Sequence, residues 1–488
     1  ERGVRVTLGG MDQELLRVSR SNVIGASPPM SALWADEPAL EAMDLIGLSL
    51  TAIGSRELAQ GRTELLRRIG GGCDSPRPEQ ACQFRTPYPG TRFTYLSANL
   101  LNQSTGHPEF MPYQIEEARG TRIAFIGATL DEIASHVRAS SLTGLQPINE
   151  AAAINAQIPA LQALGVDAMV AVIHQGGLFA PDQRPDCQQL RGPLLDIIRQ
   201  LDRKIRIVIT GHTHLGYACQ LDGRLVTQAG SAGQLLSWLT LHIDRIHHQL
   251  LDVRAENLLV DPHQYPATPE ISALLDTLRQ RSQAQLARPI AQLGAARISR
   301  APNRAGESAL GDLVAEAQYQ MTRPLGAQGA MVNPGSLRAD LQPDQPAGPI
   351  RYGQLLAAQP FANPLSIATL SGRQLYQLLE QQWQQDGSFT PLQLSSSLNY
   401  QWQTSLPHVI PGSLQLDGQS VLNDQHYRIT VNAFLAQGGD HFSLLPETVQ
   451  QKAGFTDLDA LEHYLQQQEQ AGQPAGRTDP ASRILRRS

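Results

Sequence analysis

The stretch "KIRIVITGHTHLGY" (204–217) decides the fold, because an apolar run rich in β-branched residues stops at a glycine and two histidines. A run of this kind is typical of a strand that is buried on both faces of a sheet. In α/β sheets, the polar residues just past the carboxyl ends of strands are where ligands bind. His212 and His214 therefore predict a ligand or metal site at the end of this strand.

The preceding segments alternate in the same way between strand and helix. "VDAMVAVIHQGG" (166–177) is an apolar strand with His174 near its end, and "TRIAFIGATL" (121–130) has the pattern of another buried strand. Residues 150–165 and 192–202 carry apolar side chains at helical spacing. Helices that alternate with buried strands predict packed α/β layers, with His174 at the same edge as the other two histidines.

The length of 488 residues predicts two domains rather than one. A proline-containing break, "DPHQYPATPE" (261–270), is followed by a long helical pattern with a polar face, which suits a bridge between domains. The second half mixes helices and strands and reaches an amphipathic helix at 455–470. We therefore predict a first domain at 1–262, a linker helix at 263–290 and a second domain at 291–488.

Charge and hydropathy narrow the class of partner. With 39 Lys and Arg against 45 Asp and Glu, the net charge is −6, which argues against nucleic acid and against an anionic membrane surface. No apolar stretch approaches the roughly 18–20 residues that a membrane-spanning helix needs. The chain opens on Glu1 without a signal-like segment, so we expect a mature or trimmed product.

The four cysteines form two local groups. Cys73 and Cys82 flank a proline-rich loop, and Cys187 and Cys219 lie on either side of a helix–strand unit. An even number without a C-x-x-C motif favours disulfides over zinc, and hence an oxidising compartment. Of the three possible pairings, Cys73–Cys82 with Cys187–Cys219 is the simplest. The alternative is four free thiols in a cytosolic protein.

Several motifs occur in an order that resembles the 5′-nucleotidase family, which includes UDP-sugar hydrolases and 2′,3′-cyclic-nucleotide phosphodiesterases. In the first half these are "FTYLSANL" (93–100), "HQGG" (174–177) and "GHTH" (211–214). In the second half they are "ESALGDLVAEAQ" (307–318), "VNPGSLRADL" (332–341), "QPFANPL" (359–365), "LSGRQLYQLLE" (370–380) and "FLAQGGDHF" (434–442). The resemblance implies an α/β fold, in which a metallophosphoesterase-like βαβ sandwich is joined by a long linking helix to an α+β substrate-recognition domain.

The family's chemistry uses two divalent ions roughly 3.5–4 Å apart, bridged by a carboxylate, to hydrolyse phosphoesters. By resemblance, His174 and His212 are ligands of one ion and His214 is a ligand of the other. The other motifs depart from the family. Its Gly-Asp falls at Ser21–Asn22, and in its Gly-Asn-His-Glu motif Ser55 replaces the ligating Asn while Arg56 replaces the catalytic His. Only Gly54 and Glu57 of that motif persist.

The family's opening Asp-x-His has no counterpart, because "GVRVTLGG" (3–10) is followed by what reads as the first helix. Without a bridging carboxylate two dications repel each other, and Arg56 adds a permanent positive charge. We therefore predict that the two-metal site is lost. Three histidines still suffice for one Zn²⁺ or Mn²⁺, and the alternative is that they only make hydrogen bonds to the backbone.

Arg56 leaves two interpretations open. Its guanidinium can hold a phosphate group through two hydrogen bonds, which would replace hydrolysis by binding, or it is a solvated surface residue.

By the same resemblance, the second domain keeps a nucleotide pocket. Phe434 matches the base-stacking aromatic and Asp440, six residues on, the ribose-contacting acid, while Gly438 and Gly439 permit close approach of the backbone. Arg338 in "GSLR" matches the phosphate-contacting arginine.

Asn363 follows the "PF" pair and is also assigned to the pocket. A second stacking aromatic is expected within 387–402, where Phe389 is the candidate. Each residue alone has an ordinary explanation as a core, turn or surface residue, but together in family order they predict a pocket.

Three functions remain open at this point. The first is a nucleotide-binding relative of the 5′-nucleotidases that has lost hydrolysis. The second is a working metal-dependent phosphoester hydrolase with a rebuilt or one-metal site. The third is a structural subunit of a larger assembly. The predicted ligand is a nucleotide or nucleoside-like small molecule; a protein partner is compatible with the sequence, and a nucleic acid is not expected.

Overall fold

The computed structural model describes residues 4–6, 14–19, 22–25, 27–118, 120–179, 186–244, 246–345, 348–384, 388–475 and 482–487. The chain forms two compact units. The first unit contains the described residues up to 25 together with those in 34–277. The second unit contains the described residues of the segment 26–33 together with those from 278 onward. The division falls within the predicted linker 263–290, whereas nothing in the sequence signalled that residues 26–33 group with the second unit.

The α-helices, in chain order, are α1 Pro29–Ala32, α2 Glu37–Leu45, α3 Ser55–Leu58, α4 Arg62–Gly70, α5 Glu150–Ala163, α6 Leu194–Gln200, α7 Pro269–Leu286, α8 Ala309–Thr322, α9 Tyr352–Ala358, α10 Gly372–Glu380, α11 Ala433–Ala436 and α12 Asp457–Gln470. The helices predicted at 150–165, 192–202 and 455–470 are thus confirmed as α5, α6 and α12. Among the described residues, no helix is both long and apolar enough to cross a membrane.

The strands before α7 are β1 Val4–Val6, β2 Glu14–Leu16, β3 Val18–Ser19, β4 Leu50–Ala52, β5 Thr94–Leu96, β6 Leu100–Asn102, β7 Tyr113–Ala118, β8 Thr121–Ala128, β9 Leu145–Pro147, β10 Ala168–Ile173, β11 Ile207–Ile209, β12 Gly216–Leu221, β13 Arg224–Ala229, β14 Leu235–Asp244 and β15 Gln249–Leu259. The strands after α7 are β16 Pro289–Ala291, β17 Gly329–Val332, β18 Ile350–Arg351, β19 Pro364–Ser371, β20 Gln393–Leu394, β21 Leu398–Trp402, β22 Gln415–Leu416, β23 Gln419–Ser420, β24 His426–Asn432, β25 Val449–Thr456 and β26 Ile484–Arg486.

The first unit is built around a six-stranded sheet with the order β12-β13-β11-β10-β8-β7. Its central strands β8, β10 and β11 are parallel, with Val170 paired to Phe125 on one side and to Ile207 on the other. All six residues of β10 are buried, as a central parallel strand requires. The strands predicted from 121–130, 166–177 and 204–214 are therefore confirmed.

Both faces of this sheet are covered, which gives the predicted sandwich. On one face, α5 and α6 contribute Ile154 and Leu194 to a core that also contains Ile173. On the other face, Leu50 of β4 and Leu239 of β14 pack in a second core against strands of the main sheet. Strands β3, β4 and β5 form a separate parallel sheet on this second face.

The helix predicted directly after residues 3–10 is wrong. The described residues there form β2, which pairs antiparallel with β1, and β3, which pairs parallel with β4. Val18 of β3 is buried. A short apolar segment has no decisive periodicity of its own, so its pairing with strands elsewhere in the chain decides its structure. Residues 7–13 and Ser21, the counterpart of the family's glycine, lie outside the described residues.

The second unit is the predicted α+β domain. A five-stranded sheet has the order β20-β17-β24-β19-β25, and a four-stranded sheet has the order β23-β22-β21-β26. Buried leucines of α10 pack with Ile429 and Val431 of β24 in one core. A further core joins α8, α9 and α12, and the half-buried Leu33 packs against it. This last contact explains why residues 26–33 belong to the second unit.

Both predicted disulfides are confirmed. Cys73 is bonded to Cys82 and Cys187 to Cys219, which accounts for all four cysteines. The smaller loop is attached to a buried ionic cluster, since the Cys82 backbone N–H donates to Glu37 at 3.0 Å. Arg67 bridges Glu37 and Glu64 in this cluster, with N–O distances of 2.9 and 2.8 Å.

Glu150 gives the stability of the first unit a pH dependence. Its side chain is buried at the start of α5, and this burial raises its pKa to about 7. The folded state therefore binds a proton that the unfolded state releases above its ordinary pKa of 4.5. The free energy of unfolding should fall as the pH rises from about 4.5 through 7, because the carboxyl group must ionise in a buried place.

We predict that Glu150→Gln removes this loss. We compare the free energy of unfolding of the variant with that of the unmodified protein by urea titration. The difference in favour of the variant should be up to about 3 kcal/mol larger at pH 8 than at pH 5, since one pKa unit corresponds to about 1.4 kcal/mol. The exposed neighbour Glu132 provides the control, because Glu132→Gln makes the same chemical change without removing a buried carboxyl group. An equal effect of Glu150→Gln at the two pH values would contradict the prediction.

Candidate functional site

The three histidines predicted to lie at strand ends do so. His174 directly follows β10, and its backbone N–H donates to the Ala128 carbonyl at the end of β8 at 2.9 Å. His212 and His214 follow β11 with φ angles of 65° and 62°. This left-handed conformation is uncommon for residues other than glycine and often occurs at functional sites. The rings of His174 and His212 lie 5.0 Å apart, whereas His214 is exposed.

A fourth histidine, which the sequence did not indicate, completes this cluster. The ring of His136 lies 4.8 Å from that of His212, in an edge-on arrangement. His136 follows a short 3₁₀ turn, Ile133–Ser135, in the loop after β8. Arg138 and Ser141 attach this loop to the Ala59 carbonyl at 3.0 and 3.2 Å. Because a loop determines its position, no strand or helix pattern could have identified His136.

Two of the substituted positions contact His174. Its Nε2 atom lies 3.5 Å from Asn22 Nδ2 and 3.4 Å from Ser55 Oγ. Asn22 Oδ1 in turn accepts a hydrogen bond from the Arg56 backbone N–H at 3.0 Å. The structure therefore brings together Asn22, Ser55, Arg56 and His174. The imidazole nitrogen of His174 faces an amide and a hydroxyl group, both neutral.

Glu57 holds the backbone of this site together. Its carboxylate accepts hydrogen bonds from the backbone N–H groups of Asn22 at 3.0 Å, Val23 at 2.7 Å and Gly54 at 2.9 Å. The side chain is fully buried, and burial raises its pKa although these N–H groups stabilise the charged form. Glu57 thus joins the end of β4 to the segment that follows β3. Its two oxygens are used by the backbone.

The turn that carries His212 and His214 is fixed by a buried polar network. Tyr217 Oη lies 2.6 Å from Thr210 Oγ1 and accepts a hydrogen bond from the Gly177 N–H at 3.0 Å. A side chain at Gly176 would lie 2.0 Å from the Gly211 carbonyl, so this approach requires glycine. The "HQGG" and "GHTH" segments consequently pack against each other.

The electrostatics of the site do not favour cations. Burial, followed by the charges of His136, His214 and Arg56, lowers the pKa of His212 to about 3. His212 is therefore neutral at physiological pH. No group of three or more His, Cys, Asp or Glu side chains within the described ranges is arranged to hold a metal ion. The neutral amide of Asn22 and hydroxyl of Ser55 beside His174, together with the guanidinium of Arg56, do not fit a pair of divalent ions.

In the second unit, several predicted pocket residues converge through two asparagines. Asn333 Nδ2 donates to Asp440 Oδ2 at 2.7 Å, and Asn432 Nδ2 donates to Asn333 Oδ1 at 2.9 Å. Asp440 has a left-handed φ of 53° directly after Gly438 and Gly439. The predicted ribose-contacting acid is therefore held in place by residues at the ends of β17 and β24.

Phe434 lies directly over this turn. A side chain at Gly439 would meet the Phe434 ring at 2.5 Å, so the ring covers the Gly439 backbone. The ring is half-buried, which leaves part of it accessible. Phe434 therefore packs on the Gly439 backbone, next along the chain to Asp440.

Arg338 belongs to the same group of loops. Its backbone N–H donates to the Ala358 carbonyl at 2.9 Å, so the segment that starts at Asn333 lies beside the one that leads to Asn363. Burial and the nearby charge of Arg300 lower the pKa of Arg338. Asn363 is half-buried, and its Nδ2 donates to Asp457 at 3.4 Å.

The candidate for a second stacking aromatic has other contacts. Phe389 stacks on Trp383 with ring centroids 4.7 Å apart and also lies 5.0 Å from Trp402. Phe361 precedes β19, and Phe434 follows β24. Because Leu365 of β19 pairs with Asn432 of β24, the segments that carry Phe361 and Phe434 leave the same end of the sheet. The "PF" motif contained this signal, but strand register was needed to interpret it.

Comparison with known proteins agrees with this architecture. Residues 284–447 match the family model described as the 5′-nucleotidase C-terminal domain. A 5′-nucleotidase of Vibrio cholerae is 26% identical over 483 residues, which cover 91% of this chain and 81% of that protein. A 5′-nucleotidase precursor of Thermus thermophilus has a TM-score of 0.74 at 22% identity and covers 93% of this chain and 87% of its own.

Two further relatives are longer proteins. An endonuclease of Bacillus subtilis is 27% identical over 86% of this chain, which spans only 33% of that protein. A cell wall protein of Listeria monocytogenes is 26% identical over 95% of this chain and 62% of its own length. The fold is thus a metallophosphoesterase-like domain followed by a 5′-nucleotidase C-terminal domain. Residues 284–447 thus match the C-terminal domain of 5′-nucleotidases, and the chain as a whole is similar to proteins of that family.

Gly54 provides a test of the packing at the first-unit site. A methyl group at this position would lie 2.3 Å from Asn22 Oδ1 and 2.9 Å from both Glu57 Oε2 and His174 Cε1. We predict that Gly54→Ala lowers the free energy of unfolding by about 1–3 kcal/mol, the usual cost of overpacking. Gly70, at the exposed end of α4 with open space around it, is the matched control. Gly70→Ala should be neutral or stabilising in the same urea titration, and equal effects of the two variants would disprove the proposed packing.

Proposed function

We propose that this protein binds a nucleotide or a related phosphorylated small molecule, and that it has lost two-metal phosphoester hydrolysis or retains it only weakly. The carrying observation is that His174 Nε2 faces Asn22 and Ser55, with Arg56 beside them and Glu57 fully used by the backbone. The arrangement keeps the shape of the family's site but replaces its acidic and basic groups. A metal-dependent hydrolase with a rebuilt site is the competing function, and His174, His212 and His214 are its ligands if one divalent ion binds.

Arg56 supports binding of an anion in the first unit. The charge of Arg56 contributes to the lowered pKa of His212, so the guanidinium is close enough to His212 to affect it electrostatically. His212 is neutral and so does not add to the repulsion of cations, but it retains a ring N–H that can donate to a phosphate oxygen. An anion beside Arg56 is therefore favoured over a dication.

The second unit supplies the nucleoside contacts of the proposal. Phe434 offers a half-buried aromatic face over the Gly439 backbone, and Asp440 is held by Asn333 at 2.7 Å. Phe361 is proposed to contact the opposite face of the base, since it leaves the same end of the sheet. Arg338 is proposed to bind the phosphate group, and Asn363 the edge of the base.

A periplasmic or secreted location is part of the same proposal. The two disulfides support it, because such bonds persist in oxidising compartments. The cell wall protein among the relatives supports it as well.

Metal content and hydrolysis test the proposed loss of catalysis. Purified protein incubated with Mn²⁺ or Zn²⁺ and then desalted should contain well under two ions per chain by mass spectrometry. It should release negligible phosphate from AMP or an aryl phosphate, because the positions matched to the family's bridging acid and catalytic His carry Asn22 and Arg56. The Vibrio cholerae 5′-nucleotidase serves as the positive control for the assay. Robust metal-dependent turnover would establish the competing hydrolase instead.

Ligand-induced stabilisation tests the pocket independently of catalysis. AMP or adenosine in large excess should raise the melting temperature, since a ligand that binds only the folded state stabilises it by about 2.7 kcal/mol at a hundred times Kd. Phe434→Ala should abolish the shift through loss of stacking. Phe455→Ala changes a partly exposed phenylalanine of the same unit, in β25, and should keep the shift. A shift that survives Phe434→Ala would show that the ligand binds elsewhere.

A further inference from the structure

A buried carboxyl group lies behind Asn363. Asp457 is the first residue of α12, and only 1% of its surface is exposed. Asn363 Nδ2 donates to Asp457 Oδ2 at 3.4 Å, and the Asp457 backbone N–H donates to the Asn363 carbonyl at 2.9 Å. Main chain and side chain together therefore fix these two residues relative to each other.

This contact determines which end of the Asn363 amide faces outward. The side chain of asparagine has a donor and an acceptor that are almost identical in shape, so only its partners fix its orientation. A carboxylate oxygen accepts hydrogen bonds, and it therefore holds the Nδ2 end toward Asp457. Oδ1 makes no hydrogen bond to any residue that the structure describes. The open edge of Asn363 consequently presents an acceptor, Oδ1, next to the second N–H of Nδ2.

Capping of α12 does not account for Asp457. The cap is formed by Thr456 and Asp459, where Thr456 Oγ1 accepts from the Asp459 N–H at 3.1 Å and Asp459 Oδ2 accepts from the Thr456 N–H at 2.9 Å. Asp457 Oδ1 is buried and has no hydrogen-bond partner among the described residues. Burial raises the pKa of Asp457 to about 7. Such a group is costly to bury, so a role other than capping is indicated.

Resting on the proposed nucleotide binding, we propose that Asp457 is a positioning residue that makes the pocket select bases with an exocyclic amine beside an unprotonated ring nitrogen. Adenine and cytosine have this pattern, in which the amine donates to Asn363 Oδ1 and the ring nitrogen accepts from Nδ2. Hypoxanthine, guanine and uracil carry a carbonyl and a ring N–H, which reverse both contacts. Each reversed pair leaves polar groups unpaired, and a site built to hydrogen-bond one pattern rejects the other.

AMP and IMP differ only at this edge, so their affinities give the test. By calorimetry at pH 8, the full chain should bind AMP at least about tenfold more tightly than IMP, the usual scale of a two-point base contact. Asp457→Asn should bring the ratio below about threefold, because an amide can donate to Asn363 and let it turn over. Asp459→Asn makes the same chemical change in the helix cap and should keep the original ratio.

The outcomes separate this inference from the function on which it rests. If the unmodified protein binds neither nucleotide, the proposed function fails and the selectivity fails with it. If AMP and IMP bind equally well, or Asp457→Asn keeps the ratio, nucleotide binding stands and the role of Asp457 is overturned. Should Asp457→Asn fail to fold, Asn363→Ala at a half-buried loop position replaces it. This variant should bind AMP no more tightly than it binds IMP, and a retained preference for AMP would overturn the inference.

Discussion

The site of the first unit depends on one carboxylate that binds only backbone. Glu57 collects the N–H groups of Asn22, Val23 and Gly54, and so fixes the segments that follow β3 and β4 at one distance from His174. A buried carboxylate satisfied in this way stabilises its surroundings through several charge-assisted hydrogen bonds. Gly54 and Glu57 are also the two positions that match the family's motif. Under the proposed function, Gly54 and Glu57 shape the backbone, and their neighbours Ser55 and Arg56 are the residues proposed to face a ligand.

This separation of scaffold from chemistry explains how a site can keep its form and change its charge. Asn22 is close in size to the Asp of the family, whereas Ser55 is smaller than the Asn it replaces; their side chains lie 3.5 and 3.4 Å from His174. Arg56 donates its backbone N–H to Asn22, so its main chain also takes part in the frame. Under the proposed function, the neutral imidazole of His212 and the guanidinium of Arg56 together suit an anion.

Sequence patterns predicted those features that depend on local or regular structure. Buried β-branched runs gave β8, β10 and β11, and the order of parallel strands then placed His174 and His212 at one edge. The spacing of cysteines gave both disulfides. Phe434 in α11 lies against Gly439, the residue before Asp440, so a short stretch of chain brings these residues close together.

The features that were not predicted depend on contacts between distant segments. His136 reaches His212 only because Arg138 and Ser141 hold its loop against Ala59. Asp457 meets Asn363 across 94 positions of the chain. Residues 14–19 become strands through pairing with partners elsewhere, although their own sequence suggested a helix. In each case the deciding partner lies outside the window from which a local pattern is read.

The second unit takes in residues 26–33, so the polypeptide passes between the two units three times, near residues 25, 33 and 277. Leu33 completes the core formed by α8, α9 and α12. A single proteolytic cut in α7 would therefore not separate the two units completely. The N-terminal fragment would still carry the segment 26–33, which belongs to the second unit, and the C-terminal fragment would lack it. Exchange of whole domains with a relative, by recombination or by protein engineering, would have to transfer the short N-terminal helix together with the carboxyl-terminal half.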